Sequence, residues 1–249
     1  MLVERRIHGT RMYLDTNDPG QSRELLENGS REGDCPYILS KIVQKGWTCL
    51  DLGASLGFYV FIEAQQGAKV HAIEANPSNV RILRRSVALN TLDIEVHHFA
   101  AGNKTGEARF MQHQKSNRGY MLDMTANRPG GVKEVVIKEL PLDEFGIVPN
   151  LLRFDIDGYE KEMIEGAVKT IESMPPDSWI FAELHPRCFD NPVKDLCPAL
   201  EFVIGCGFVP RTGVGPGKEL AKVPASDFAV ECCTTFKETA PLVFLEKCG

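Results

Sequence analysis

The segment DLGASLGFY, Asp51 to Tyr59, constrains this chain more than any other. A strand-like run, WTCLDL, ends in an acid and passes through Gly53 and Gly57 into GFYVFIEAQQG, where Val60, Phe61 and Ala64 share one helical face and Gly67 supplies a stop. The pattern is strand, glycine turn, helix. Glycines take backbone angles that other residues resist, and without side chains they let the main chain approach a ligand closely. The helix start adds N–H groups that have no intrahelical partner.

A dinucleotide site asks for G-x-G-x-x-G, whereas this turn reads G-A-S-L-G and lacks the middle glycine. That order disfavours nicotinamide and flavin dinucleotides. It fits a cofactor without phosphates, whose amino-acid portion lies over the turn and whose ammonium meets an acid such as Asp51; S-adenosylmethionine is one. A glycine turn that merely packs a helix on a sheet remains the alternative. The next segment, AKVHAIEANPSN, reads as a second buried strand, Val70 to Ile73, ending in Glu74 about 20 residues past the glycines, where an acid that accepts both hydroxyls of a ribose is expected. Asn76 and Pro77 form an N-cap with proline at the first helical position, and Val80, Leu83 and Val87 recur at helical spacing toward Asn90.

DIEVHHFAAGNKTGEARF reads as a third strand, a polar turn and a further strand, and MQHQKSNRGYMLDMTANRPGG as a long loop in which His113, Asn117, Arg118 and Tyr120 are candidate acceptor contacts. VKEVVIKELPLDEF is strand-like. LLRFDIDGYEKEMIEGAVKTI carries a buried strand into a helix whose inward face is Ile164, Ala167, Val168 and Ile171. Asp155 and Asp157 close that strand and point the same way if it continues through them. Glu160 falls in the first helical turn, which the helix dipole favours in any case. SWIFAELHP is another apolar strand, with Glu183 and His185 at same-side spacing.

Five blocks carry a family resemblance in one order: DLGASLGFY, IEANPSN, ELPLDEF, LLRFDIDGYEKEMIEGA and AELHP. From about Arg31 onward the chain resembles the FkbM-type methyltransferases, a branch of the class I S-adenosylmethionine-dependent enzymes. It departs from their pattern at Ser55, usually asparagine, Asp157, usually glutamate, and Arg153, usually lysine. The resemblance implies a doubly wound α/β fold with a mostly parallel seven-stranded sheet and a C-terminal antiparallel strand pair. It implies donor binding by Asp51, Gly53, Ser55, Gly57, Glu74, Asn76, Ala101 and Asp155, with Ala100 and Ala101 beside the adenine. Methyl transfer from a sulfonium is an in-line displacement that needs the acceptor oxygen positioned and its proton removed. Asp155, Asp157, Glu183 and His185 are the catalytic candidates, and His185 is the better general base on intrinsic grounds because it titrates near neutral pH. Asp155, Asp157, Glu160 and Glu183 also offer oxygen ligands to a divalent metal, although no metal is predicted.

Length and charge agree with a single enzyme domain. The chain has 249 residues, 43% of them hydrophobic, and a formal net charge of −6, which argues against a broad phosphate-binding surface despite the basic ERRIHGTR segment and the Arg81, Arg84, Arg85 face. Nucleic acid is not an expected partner, nor is a membrane, and the protein is read as cytoplasmic. The eight cysteines include no C-x-x-C pair and suit buried free thiols in a reducing compartment, with Cys232 and Cys233 alternating faces if strand-borne.

Residues 1–45 read as a strand and helix segment packing on the core, with Ile38, Ile42 and Val43 of YILSKIVQKG inward, and 46–249 as the methyltransferase domain. DLCPALEFVIGCGF is a helix with Leu196, Leu200 and Val203 toward the core, FVPRTG and PLVFLEK are strands, and GVGPG is a hairpin connection rather than a phosphate loop. The expected function is an O-methyltransferase using S-adenosylmethionine on a hydroxyl of a small molecule or sugar. An RNA base methyltransferase shares the IEANP block, but FDIDG stands where that group carries N-P-P-[RFY]. A non-catalytic S-adenosylmethionine or nucleotide-binding module is the other alternative.

Overall fold

The computed structural model describes residues 1–122, 133–212, 221–222, 225–234 and 240–248. The part of the long loop from 123 to 132 and the GVGPG connection lie outside the described residues. The chain opens with an antiparallel hairpin, β1 (Leu2–Ile7) and β2 (Thr10–Asp15), followed by α1 (Gln21–Asn28) and α2 (Cys35–Ile42). Strand and helix then alternate through β3 (Thr48–Leu52), α3 (Phe58–Gln65), β4 (Lys69–Glu74), α4 (Pro77–Val87) and β5 (Ile94–His98). Asn76 caps α4 as its sequence foretells, its side chain accepting from the Ser78 N–H at 3.0 Å with Pro77 next in the chain.

β6 (Ala100–Ala101), β7 (Gly106–Gln112), β8 (Tyr120–Met121) and β9 (Lys133–Leu140) build a separate sheet in the order β6-β9-β7-β8. The main sheet resumes with α5 (Leu142–Phe145), β10 (Leu151–Phe154), α6 (Glu160–Glu165), α7 (Val168–Ser173) and β11 (Trp179–Glu183). It ends with α8 (Pro192–Asp195), α9 (Cys197–Gly205), β12 (Phe208–Thr212), β13 (Ala221–Lys222), α10 (Ala225–Thr234) and β14 (Leu242–Lys247).

Among the described residues the main sheet has eight strands in the order β13-β12-β14-β11-β10-β3-β4-β5, the expected seven together with the two-residue β13. It is mixed. β5, β4, β3, β10 and β11 run parallel, while β14 pairs antiparallel with both β11 and β12, and β12 pairs antiparallel with β13. The chain leaves β3 outward to β4 and β5 and returns on the other side at β10. A topological switch point therefore lies between the carboxyl ends of β3 and β10, the place where open α/β sheets receive ligands.

Each face of the sheet is buried. Leu50, Leu52, Leu152 and Phe154 join a core with α6, α7, α9 and α10, while Cys49 and Leu151 face α3 and the N-terminal segment. Ile7, Met12, Leu14, Leu25, Ile38 and Leu39 belong to that second core together with Phe58, Phe61 and Val70. The period of two thus sends Asp51 and Arg153 into an apolar face, where they pair across the β3–β10 register.

Three local expectations change. β10 ends at Phe154, so Asp155 and Asp157 stand on a loop, and Asp157 takes φ +47°. The long helix predicted after it breaks into α6 and α7; Asp143 accepts from the Lys169 and Thr170 N–H groups, which gives α7 a start of its own. Gly166, at the break, lies where a Cβ would be 1.8 Å from the Gly102 carbonyl oxygen, so this close approach is reserved to glycine. Cys232 and Cys233 are buried in α10, on a helix rather than a strand. Among the described residues no helix is long and apolar enough to cross a membrane.

Candidate active site

A cleft of about 830 Å³ opens at the switch point. Its floor is the turn after β3. Gly53 takes φ +73°, and a Cβ there would sit 1.9 Å from the carbonyl oxygen of Asp155, so the two strand ends meet main chain to main chain. Ser55 holds φ +50°, an arrangement costing about 1–2 kcal/mol for a residue with a Cβ. Two bonds fix it: its N–H donates to Glu74 Oε2 at 2.6 Å, and its hydroxyl donates to Gln21 Oε1 at 2.7 Å. Glu74, at the end of β4, also accepts the Asn76 N–H on Oε1 at 2.7 Å. Burial nonetheless raises its carboxyl to about 7, against the lowering effect of those hydrogen bonds.

Ile73, Phe99, Ala100, Ala101 and Met121 give the cleft an apolar wall. Asp155 and Asp157 add two carboxylates to its lining. Behind them His185, 2% exposed, donates from Nδ1 to Glu160 Oε1 at 2.7 Å. Its Nε2 lies 3.8 Å from Asp155, 3.6 Å from Asp157 and 3.6 Å from Glu183. Burial by itself depresses an imidazole pKa, but the Glu160 and Glu183 hydrogen bonds and the nearby charges outweigh it and hold His185 well above its ordinary value. The ring is therefore an imidazolium at neutral pH. Burial first, then the charge of Glu183, pushes the Asp155 carboxyl above the usual carboxylate range, with Arg153 and His185 opposing.

The cleft's cations are already engaged. Arg153 pairs with Asp51 at 2.8 Å and approaches Asp155 at 3.6 Å while its guanidinium lies 4.4 Å from the Tyr59 ring centroid. Arg31 pairs with Glu32 at 2.6 Å and Glu24 at 3.5 Å. With both guanidinium groups held by carboxylates, the described lining offers a pyrophosphate little, whereas Glu74 and the apolar wall suit a nucleoside. That donor set fits S-adenosylmethionine.

The sequence profile of the Methyltransferase FkbM domain matches residues 51–207. The chain belongs to the FkbM methyltransferase family. Membership implies S-adenosylmethionine as methyl donor. Among solved structures, the methyltransferase FkbM from Methylobacillus flagellatus KT aligns over 84% of this chain and 50% of its own, at 15% identity and a TM-score of 0.50. The chain thus spans half the length of that protein. An rRNA methylase from Streptococcus thermophilus aligns over 86% and 94% at 12% identity and a TM-score of 0.47. The precorrin-6y C5,15-methyltransferase from Geobacter metallireducens GS-15 aligns over 85% and 88% at 11% identity and a TM-score of 0.43. At 15% identity the likeness to the Methylobacillus flagellatus protein is one of fold. No curated protein matches the sequence.

Within this FkbM domain, Gly53, Ser55, Glu74, Asn76, Ala101, Asp155 and Asp157 all line the cleft. Asp51 does not. It is fully buried beneath the turn, where it anchors Arg153 instead of facing a ligand. Gly57 packs toward Leu83 and Phe61, and Glu183 and His185 sit behind the lining, against Asp155. Asn117 and Tyr120 of the loop region line the cleft; His113 and Arg118 stand outside its lining.

Sequence reasoning missed Gln21, Arg31, Tyr59, Asn79 and Tyr159, all in the lining. It also missed Asp18, whose carboxylate accepts the N–H and hydroxyl of Ser116 and so ties the N-terminal segment to the β7–β8 loop. A signal existed for the Arg153 pair, because a cation inside the apolar run LLRF demands a buried anion. None existed for Gln21 or Asp18, which act through tertiary contacts. Asp155, Glu183 and His185 bring ligand atoms within 4.8 Å of one another, close enough to share a cation, which would have to displace the proton from His185 Nε2.

Proposed function

We propose that this chain is an S-adenosylmethionine-dependent O-methyltransferase acting on a hydroxyl of a small molecule or sugar. The observation that carries the reading is the meeting, in one cleft, of the Gly53 turn and Glu74 with the carboxylate of Asp155. Glu74 holds the ribose hydroxyls, the Gly53–Ser55 main chain the amino-acid end, and Ala100 and Ala101 leave room for the adenine. The donor supplies an electrophilic methyl carbon on sulfur. An acceptor oxygen becomes acidic as it is alkylated, so a carboxylate is base enough if it is placed beside that oxygen. Asp155 is that base. It lines the cleft with a raised pKa and 21% of its side chain exposed.

His185 takes a different role from the one its intrinsic pKa advises. As an imidazolium fixed by Glu160, it gathers Asp155, Asp157 and Glu183 around Nε2 and stabilises the charge that Asp155 must carry before it accepts a proton. It is a positioning residue. Residues 1–45 contribute Gln21 and Arg31 to the cleft and are proposed to roof the acceptor side.

The test is calorimetric titration with S-adenosylhomocysteine, with NAD as comparison ligand and Glu74→Ala as control. Saturable binding of S-adenosylhomocysteine alone, weakened in Glu74→Ala, supports the donor site. Hydroxylated metabolites and sugars are then screened with labelled methyl donor, with Asp155→Asn expected to slow label incorporation about a hundredfold or more. Folded protein that binds no S-adenosylhomocysteine overturns the reading.

A further inference from the structure

A second group of ligating side chains lies away from the cleft, on neighbouring parallel strands. His71 of β4 stands opposite Glu95 of β5, and His97 follows Glu95 by two residues, so the pleat sends all three side chains to one face of the sheet. Their polar atoms converge. His71 Nδ1 and His97 Nε2 are 3.1 Å apart, Glu95 Oε2 is 3.5 Å from the first and 3.8 Å from the second. A point equidistant from those three atoms is about 2.0 Å from each in their plane and about 2.1 Å from each when raised about 0.7 Å above it to admit a fourth ligand, close to the length of a zinc–imidazole or zinc–carboxylate bond. The 3.1 Å contact is also a hydrogen bond between the two rings, which an ion would replace.

We propose that His71, Glu95 and His97 form a site for a zinc-class divalent transition ion, with the fourth tetrahedral position open to solvent. The ligand set is two imidazoles and one carboxylate, which suits Zn²⁺ and its neighbours rather than Mg²⁺ or Ca²⁺, whose sites are built from oxygen. The surroundings are arranged for it. Lys69 holds Glu95 Oε1 at 2.8 Å and so leaves Oε2 toward the imidazoles. The Phe145 ring closes the inner side, its centroid 5.0 Å from His97 and 6.0 Å from His71. His71 is 4% exposed, while Glu95 and His97 are open enough to admit an ion from solvent. Lys69 and Arg84 place positive charge nearby, which weakens the site without blocking it. Because β5 is the edge of the sheet, an ion shared by β4 and β5 fastens that edge strand to its neighbour. None of the three residues lines the cleft, so the site stands apart from methyl transfer.

The experiment is calorimetric titration of the chelator-treated full chain with ZnCl₂, repeated on His97→Ala, Glu95→Gln and Glu183→Gln. The wild type is expected to bind one ion at this site with micromolar or tighter affinity, His97→Ala to lose it, and Glu95→Gln to weaken it about tenfold or more. Glu183→Gln keeps it, which separates it from any ion held by the acids around His185. Substituted Co²⁺ should give the strong visible bands of tetrahedral coordination in wild type and Glu183→Gln but not in His97→Ala. Should His97→Ala prove misfolded by circular dichroism, the exposed Glu95→Gln change decides alone. Equal zinc affinity and stoichiometry in wild type, His97→Ala and Glu95→Gln, or no saturable binding by folded wild type, overturns the proposal.

Discussion

The two strand ends that meet at the cleft are built by opposite means. At the end of β3 the work is done by main chain: Gly53 approaches the Asp155 carbonyl, Ser55 is held at positive φ, and Glu74 collects two backbone N–H groups. At the ends of β10 and β11 it is done by charge, with four carboxylates disposed around one buried imidazolium. Shape fixes the first half and electrostatics the second. Substitutions should therefore fail differently on the two sides, by loss of binding in one and loss of turnover in the other.

The largest effect is expected at Gly53. Gly53→Val places a Cβ 1.9 Å from the Asp155 carbonyl oxygen at a φ that L side chains resist. Calorimetry should find no S-adenosylhomocysteine binding, and the melting temperature should fall as well, because both strand ends must move. Binding that survives within a few-fold would show that the donor does not depend on this turn. On the other side, Asp155→Asn keeps the volume but removes the base. Turnover should drop about 10²–10⁴-fold with S-adenosylhomocysteine affinity changed little. Equal losses in binding and turnover would erase the distinction between the halves.

His185→Gln tests the charge half through stability. Removing a buried cation leaves Asp155, Asp157, Glu160 and Glu183 facing one another, at a cost of about 3–5 kcal/mol at pH 7.5. The sign follows from the raised pKa of His185: stability gained by protonating it is fully present below about pH 6.5 and is lost only as pH rises through its elevated folded value. Denaturant midpoints of wild type and variant should differ most from acid to neutral pH and converge in alkali. A constant difference across pH would mean that His185 is neutral in the folded protein.

That contrast also explains what the sequence made legible. Glycine spacing, the Asn76–Pro77 cap and the acid that ends β4 are local patterns with local causes, and each marks a cleft residue. Asp155, Asp157, Glu183 and His185 were legible as residue types at strand ends, but their protonation was not, because it depends on Glu160 approaching from α6. Asp51 shows the same limit. Its place at the end of an apolar strand invites a ligand role, yet Arg153 on the neighbouring strand β10 claims it. The insertion of β14 between β11 and β12 escaped, because no local pattern records where a strand enters a sheet.

Glu74 offers a smaller and subtler test on the shape half. Its carboxyl, raised to about 7 by burial, contributes stability that is present below about pH 4.5 and is lost as pH rises through 7. Ligand binding runs the other way, since ribose hydroxyls donate to the ionised form. In wild type, S-adenosylhomocysteine affinity should rise with pH between 6 and 8 while apo stability falls. Glu74→Gln should flatten both trends and weaken binding about 10- to 100-fold. Parallel pH trends in affinity and stability would remove Glu74 from the binding site.

The smallest effect is expected at Gln21, where the N-terminal segment touches the turn. Its Oε1 accepts from the Ser55 hydroxyl at 2.7 Å and from the Leu56 N–H at 3.2 Å, so it helps keep Ser55 at φ +50°. Gln21→Ala leaves those two donors without that acceptor, at a cost of about 1 kcal/mol, and donor affinity should fall about fivefold. Gln21→Glu restores an acceptor and should recover most of it if the amide contributes as an acceptor alone. Since Glu74 already holds the Ser55 N–H, the turn in Gln21→Ala is loosened rather than lost, and the S-adenosylhomocysteine off-rate should report the change more clearly than the melting temperature. A variant that binds like wild type would place the N-terminal segment outside donor binding and leave the turn to be held by the core strands alone.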